Sequence, residues 1–135
     1  MNPLVPFLRV AGGLHLAIAV ANVSLPRRLR YRENLSRVSP IVRQIFVVHS
    51  IYVVFVVLFL ALLSLCFAPV LAGGTSLGSF LAGAMAIFWL VRVPVQLFYY
   101  DAELRKENRV ADVAFSLSAL FLGTVLAVTA LGLAR

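Results

Sequence analysis

The chain has 135 residues, 62% of them hydrophobic and 13% charged, with a formal net charge of +7. Its mean hydropathy is +1.01, and an apolar share well above the roughly 45–50% of soluble domains excludes a water-soluble protein of ordinary make-up. The chain left outside the apolar runs is too short for a soluble catalytic or nucleic-acid-binding module, so any chemistry must sit inside a bundle, at its surfaces or on a partner.

Four apolar runs are predicted to span the bilayer, at about residues 4–25, 41–68, 76–100 and 110–133, each near or above the ~20 residues that cross hydrocarbon as a helix. The expected fold is all-α: a polytopic membrane protein forming one antiparallel four-transmembrane-helix bundle over residues 1–135.

In the first run, Ala11, Gly12, His15, Ala19 and Asn22 fall on one side with Ile18 at its edge. Membrane helices gain little by hiding apolar surface from apolar lipid and associate where small residues allow close contact, so this is the packing side. Ala19, Val20 and Ala21 form an A-x-A pattern. The main basic cluster follows the run instead of preceding it, however, which is the order of a membrane span with its N-terminus outside and not of a signal peptide.

That cluster is the connection PRRLRYRENLSRVSP. Arg27, Arg28, Arg30, Arg32 and Arg37 lie in it and Arg43 just beyond, whereas the next connection, FAPVLAGGTSLGS, carries no charge. The positive-inside rule then predicts two cytoplasmic connections and both termini outside. The same arginines are candidate contacts for anionic lipid on the cytoplasmic side or for an acidic partner, since juxtamembrane basic clusters attract anionic headgroups and guanidinium favours bidentate contact with phosphate or carboxylate.

The second run begins with Ser39 as an expected N-cap and Pro40 at the first helical position, where a missing amide hydrogen is no loss. It is bulky all round, interrupted only by His49, Ser50, Tyr52 and Ser64. Cys66, the single cysteine, reads as a small apolar residue. Pro69 is expected to stop the helix, with Gly73 and Gly74 in the outer turn.

The third run ends in FWLVRVPVQLFYYD. Arg92, Gln96 and Tyr99, at spacings of four and three, are predicted to share one helical face, with Trp89 a turn deeper. Pro94 withholds a hydrogen bond from the Leu90 carbonyl and is expected to kink the helix and open space beside Arg92. Tyr99 and Tyr100 read as an interfacial anchor and Asp101 as a helix stop or cap. After the short connection DAELRKENRVAD, the fourth run carries the stripe Asp112, Ser116, Ala119, Gly123, Ala127 and Ala130, a seam for a neighbouring helix.

Both histidines of the chain fall inside spans. Counting from the predicted cytoplasmic boundaries, His15 lies about 12 Å deep, His49 about 8 Å and Arg92 about 9 Å. This places them in one layer with Gln96 and Tyr99. Two histidines on different helices suit the axial positions of haem b, with an arginine for a propionate; equally, His15, His49, Arg92, Gln96 and Tyr99 are suitable donors to a quinone or lipid-like headgroup. Against these stand bland roles: interhelical hydrogen bonds for the histidines, snorkelling or an ion pair with Asp112 for Arg92. Deep carboxylate pairs for a di-iron centre, zinc-ligand spacing and phosphate-binding glycine loops are missing.

The leading expectation is a small subunit of a larger membrane assembly, in a bacterial cytoplasmic (inner) membrane, with a cytoplasmic-half site for a quinone, haem or lipid-like headgroup. The alternatives are a non-catalytic assembly subunit working through its small-residue seams with other subunits or copies of itself, and an oligomeric channel or transporter. The last is weakened by an outer half offering only Arg9.

Overall fold

In a computed structural model, which describes residues 2–134 with the side chain of Leu104 excepted, the described chain is helical throughout. The elements are α1 (Leu4–Arg28), α2 (Tyr31–Asn34), a 3-10 turn (Leu35–Arg37), α3 (Pro40–Cys66), α4 (Ala68–Ala72), α5 (Ser76–Pro94), a π-helical turn (Val95–Tyr99), α6 (Ala102–Glu107) and α7 (Arg109–Leu131). Four segments are long and apolar enough to cross a bilayer: α1, α3, α5 continued by its π turn, and α7. The protein is an integral membrane protein by this criterion, and the four runs of the sequence coincide with these helices to within a few residues at each end.

The helices pair as two hairpins, α1 with α3 and α5 with α7, and the hairpins meet where α1 touches α7. Each hairpin is built on a glycine. A Cβ at Gly12 would lie 2.5 Å from Leu65 Cγ, and one at Gly123 would lie 2.6 Å from Leu90 Cδ2. The start of α1 thus meets the end of α3, and the middle of α7 meets α5 as closely as backbone and leucine allow. The predicted small faces of α1 and α7 are these contact surfaces: Ala11, Gly12, His15, Ala19, Ala119 and Gly123 are all buried.

At the end away from the arginine loop, α4 wedges among the long helices, touching α1, α3, α5 and α7, with Ala68, Leu71 and Ala72 buried. Pro69 stands in its first turn. The proline therefore starts a short helix where sequence reasoning expected it only to end one, because the first turn needs no amide hydrogen from it. Asn2 joins the same corner: its Nδ2 donates to the Ala72 carbonyl (2.8 Å) while its Oδ1 accepts from the Leu4 amide (2.9 Å). Gly74, at φ 80°, makes the turn into α5, whose first turn is capped by Thr75 Oγ1 accepting from the Gly78 amide.

The arginine end is looser. Helices α3 and α5 are not packing neighbours, and most of α3 is exposed. Pro40 opens α3 as expected, with Ser39 at the N-cap but bonding through its backbone and not its hydroxyl. The Tyr31 ring packs edge-on against Phe46 (centroids 5.1 Å apart) and folds the loop onto α3.

If the hairpins rest on their glycines, Gly12→Ala and Gly123→Ala should each lower stability by about 1–3 kcal/mol through overpacking. Gly13→Ala, whose Cβ would meet nothing within 4 Å, should be neutral or slightly stabilising. Unfolding of the three variants in mixed micelles provides the comparison.

Candidate functional site

Opposite α4 the hairpins part around a cleft of about 780 Å³. Its walls are α1 (Ile18, Asn22, Leu25), α3 (Ser50, Val53, Val57), α5 (Phe88, Trp89, Arg92) and α7 (Ala111, Asp112, Phe115), with Arg28, Gln96, Tyr100 and Arg105 toward the arginine end. Helices α3 and α5, which both line the cleft, do not pack extensively against each other.

Trp89 forms the floor. It is 2% exposed and reaches across from α5 to α1, where its Nε1 donates to His15 Nε2 at 2.8 Å. An indole N–H only donates, so Nε2 of His15 must accept and the ring proton belongs on Nδ1. His15 is fully buried, and its Nδ1 meets no partner in hydrogen-bonding geometry. The rings of Phe88 and Phe115 pack on the indole, with centroids 5.3 and 6.4 Å away.

Arg92 lies one turn nearer the loop. Its Cζ sits 5.0 Å from the ring centroids of both Tyr100 and Phe115, and Nη2 donates to Tyr100 Oη at 3.2 Å. Among the described residues no carboxylate lies within ion-pair distance of it. A guanidinium has five N–H donors, so most of those on Arg92 remain unspent.

The carboxylate expected as its alternative partner is engaged elsewhere. Asp112 Oδ2 takes Arg105 Nη2 at 3.0 Å, and Oδ1 takes Arg105 Nε (3.1 Å) and Gln96 Nε2 (2.6 Å). Arg105 Nη1 also donates to the Leu97 carbonyl at 2.8 Å. Arg105 thus clamps the π turn to α7, and its hydrogen bonds to Asp112 push its guanidinium above the usual arginine value. Asp101 Oδ1 accepts from the Glu103 amide (2.9 Å), so this residue caps α6 as expected.

Of the predicted site residues, the structure brings Arg92 and Gln96 to the cleft and sets His15 behind its floor. It does not bring His49 or Tyr99. His49 is exposed on α3, its Nδ1 in contact with the Ile45 carbonyl of its own helix at 2.9 Å. Tyr99 is 82% exposed. The exposed His49 and the buried His15, whose Nε2 accepts from Trp89, are therefore not brought together as a pair of axial haem ligands. Among the described residues no group of three or more histidine, cysteine or carboxylate side chains could hold a metal.

Tyr100 takes the place foreseen for Tyr99. The i→i+5 pattern of the π turn holds more residues per turn than an α-helix, so the face carrying Arg92 returns one residue later. The signal for this was Pro94, which cannot continue the α pattern. Phe115 and Tyr31 were missed altogether, having no polar spacing to mark them.

Arg27, Arg28, Arg30, Arg32 and Arg37 are all exposed at this end. Arg30 pairs with Glu33 at 3.7 Å and Arg28 borders the cleft. No family model, curated protein or solved structure matches the chain.

Trp89→Phe removes the only hydrogen-bonding partner of His15 Nε2 and should destabilise the protein, by about 1–3 kcal/mol if the buried acceptor is stranded in the folded state alone and nearer ~0.6 kcal/mol if the unfolded chain also leaves such groups partly paired. Adding His15→Leu, which removes the stranded group, should restore part of the loss. A double-mutant cycle read from thermal unfolding in detergent distinguishes this coupling from simple loss of packing.

Proposed function

We propose that this small integral membrane protein uses its lateral cleft to bind the anionic headgroup of a membrane amphiphile, within the cytoplasmic half of a bacterial inner membrane and as one subunit of a larger assembly. The observation that carries the reading is Arg92: a cation on a membrane-spanning helix, cradled by two aromatic faces, with donors unspent and no carboxylate partner among the described residues. A charge placed mid-helix costs ~2.5–3.5 kcal/mol on insertion scales, and an anion in the cleft offsets that cost where a neutral quinone carbonyl does so less. Arg28 adds a second cation at the mouth. The orientation rests on the arginine loop, which belongs inside by the positive-inside rule.

The assembly reading draws less support from the same geometry. A seam for a partner must be free, but Gly12 and Gly123 are taken up by Leu65 and Leu90 of the chain itself.

Purified protein should retain phosphatidylglycerol over phosphatidylcholine of the same chain length in native mass spectrometry. Arg92→Gln should lose about tenfold of that preference, corresponding to the ~1.4 kcal/mol at the lower edge of a hydrogen bond to a charged group. An unchanged preference would remove the proposal.

A further inference from the structure

A second cavity, a groove of about 390 Å³, runs along an adjacent face of the middle of α3. Its walls are apolar: Val23 of α1 faces Val47, Ile51, Val54, Phe55 and Leu58 of α3. Four residues border both the groove and the cleft, namely Asn22 and Pro26 of α1, Tyr31 and Ser50. The two cavities are therefore neighbours across a partition of these side chains, at the same end of the molecule as Arg28 and Arg92.

The partition is polar where the groove is not. Asn22 Nδ2 donates to the Ile18 carbonyl (2.8 Å) and Ser50 Oγ to the Phe46 carbonyl (2.9 Å). These bonds leave the Asn22 carbonyl and the serine lone pairs to accept, and the second Asn22 amide hydrogen to donate. From Val47 to Leu58 the groove follows α3 over eleven residue steps, or about 16 Å at the helical rise. That is roughly half of the ~30 Å hydrocarbon core, the depth of one leaflet.

We propose that the ligand of the cleft is a two-chain anionic glycerophospholipid that straddles α1 and α3. Its phosphate meets Arg92 and Arg28, its glycerol and ester groups lie over Asn22, Tyr31 and Ser50, one chain fills the cleft against Trp89, and the other descends the groove. This rests on the reading of the cleft as an anionic-headgroup site and adds that one chain is not enough. Charge selects the headgroup, and the pairing of the two cavities selects the number of chains.

The single tryptophan of the chain lines the cleft and gives a direct readout. Detergent-solubilised full-length protein is titrated with phosphatidylglycerol brominated on its chains, with the lyso form carrying one brominated chain, and with brominated phosphatidylcholine, following quenching of Trp89. The expected result is that phosphatidylglycerol binds at least tenfold more tightly than either of the others. In the groove-filling variant Ile51→Phe/Val54→Phe, its affinity should fall to that of the lyso form, which itself stays unchanged; Val47→Phe should act in the same direction.

Equal binding of the one-chain and two-chain forms by the unaltered protein would overturn the proposal, as would a two-chain preference that survives both groove variants, or a single-chain polyprenyl phosphate that binds as tightly as phosphatidylglycerol. Loss of the lyso form in both variants would also count against it, since the cleft chain is meant to be independent of the groove. Arg92→Gln separates the two levels. If it leaves phosphatidylglycerol and phosphatidylcholine bound as in the unaltered protein, the headgroup reading falls and takes this one with it; if it abolishes the distinction while the groove variants do nothing, only the two-chain reading falls.

Discussion

The hydrogen bond from Trp89 to His15 is the constraint on which the architecture of the arginine-end half turns. Helices α1 and α5 belong to different hairpins and do not pack closely along their backbones, so a long side chain is what joins them at this level. Tryptophan has the reach, and its one donor finds His15 Nε2 on the small face of α1. Away from water a polar group without a partner is costly, so the bond fixes not only the separation of the hairpins but also the rotation of both helices about their axes. The indole so placed becomes the floor of the cleft, and the aromatic packing of Phe88 and Phe115 follows from it.

From that floor the two ends of the molecule diverge for different physical reasons. Toward α4 the helices meet through Gly12, Leu71, Ala72 and Ala68, small or closely fitted residues that maximise van der Waals contact. Toward the arginines the same helices carry Leu25, Pro26, Arg92 and Gln96, which cannot approach so closely. Helix α3 then leans on α1 and on the Tyr31 loop, and its other flank becomes one wall of the cleft. Such an element, with few buried contacts, is drawn from the low-stability end of a structure, which suits the proposal that this wall admits a lipid from the side.

Legibility in the sequence follows from what each signal measures. Span limits come from hydropathy along one dimension, and the four helices answer to them. Rotation needs a contrast between faces. The small stripes of α1 and α7 supply one, and Ala11, His15, Ala119 and Gly123 are buried as that contrast implies. Helix α3, bulky on every side, supplies none, so equal depth placed His49 beside His15 when its actual direction is outward. At the end of α5 the failure was one of period: Pro94 gives way to a π turn, and a strict 3.6-residue count lands on Tyr99 when Tyr100 is the neighbour of Arg92. The clamp of Arg105 on Asp112 joins residues seven apart across a helix break, a pairing that no single periodicity encodes.

The charge arrangement is the reason the proposal assigns the anion to Arg92 and not to Arg105, although both border the cleft. Arg105 sits outside the spanning helices, and its guanidinium is satisfied by Asp112 on one edge and the Leu97 carbonyl on another. That pair is internally neutral and holds the π turn in place. Arg92 lies within the turn's reach but is met by rings instead of a counter-ion. Aromatic faces stabilise a cation by about 0.5–2 kcal/mol according to how far it is desolvated, without neutralising it, so the field of the guanidinium still extends into the cleft. A carboxylate in place of the rings would make Arg92 cheaper to bury and would also remove its attraction for an anion from the membrane. The aromatic cradle therefore does two things at once: it orders the side chain at the wall of the cleft, and it leaves the charge to be satisfied by whatever enters.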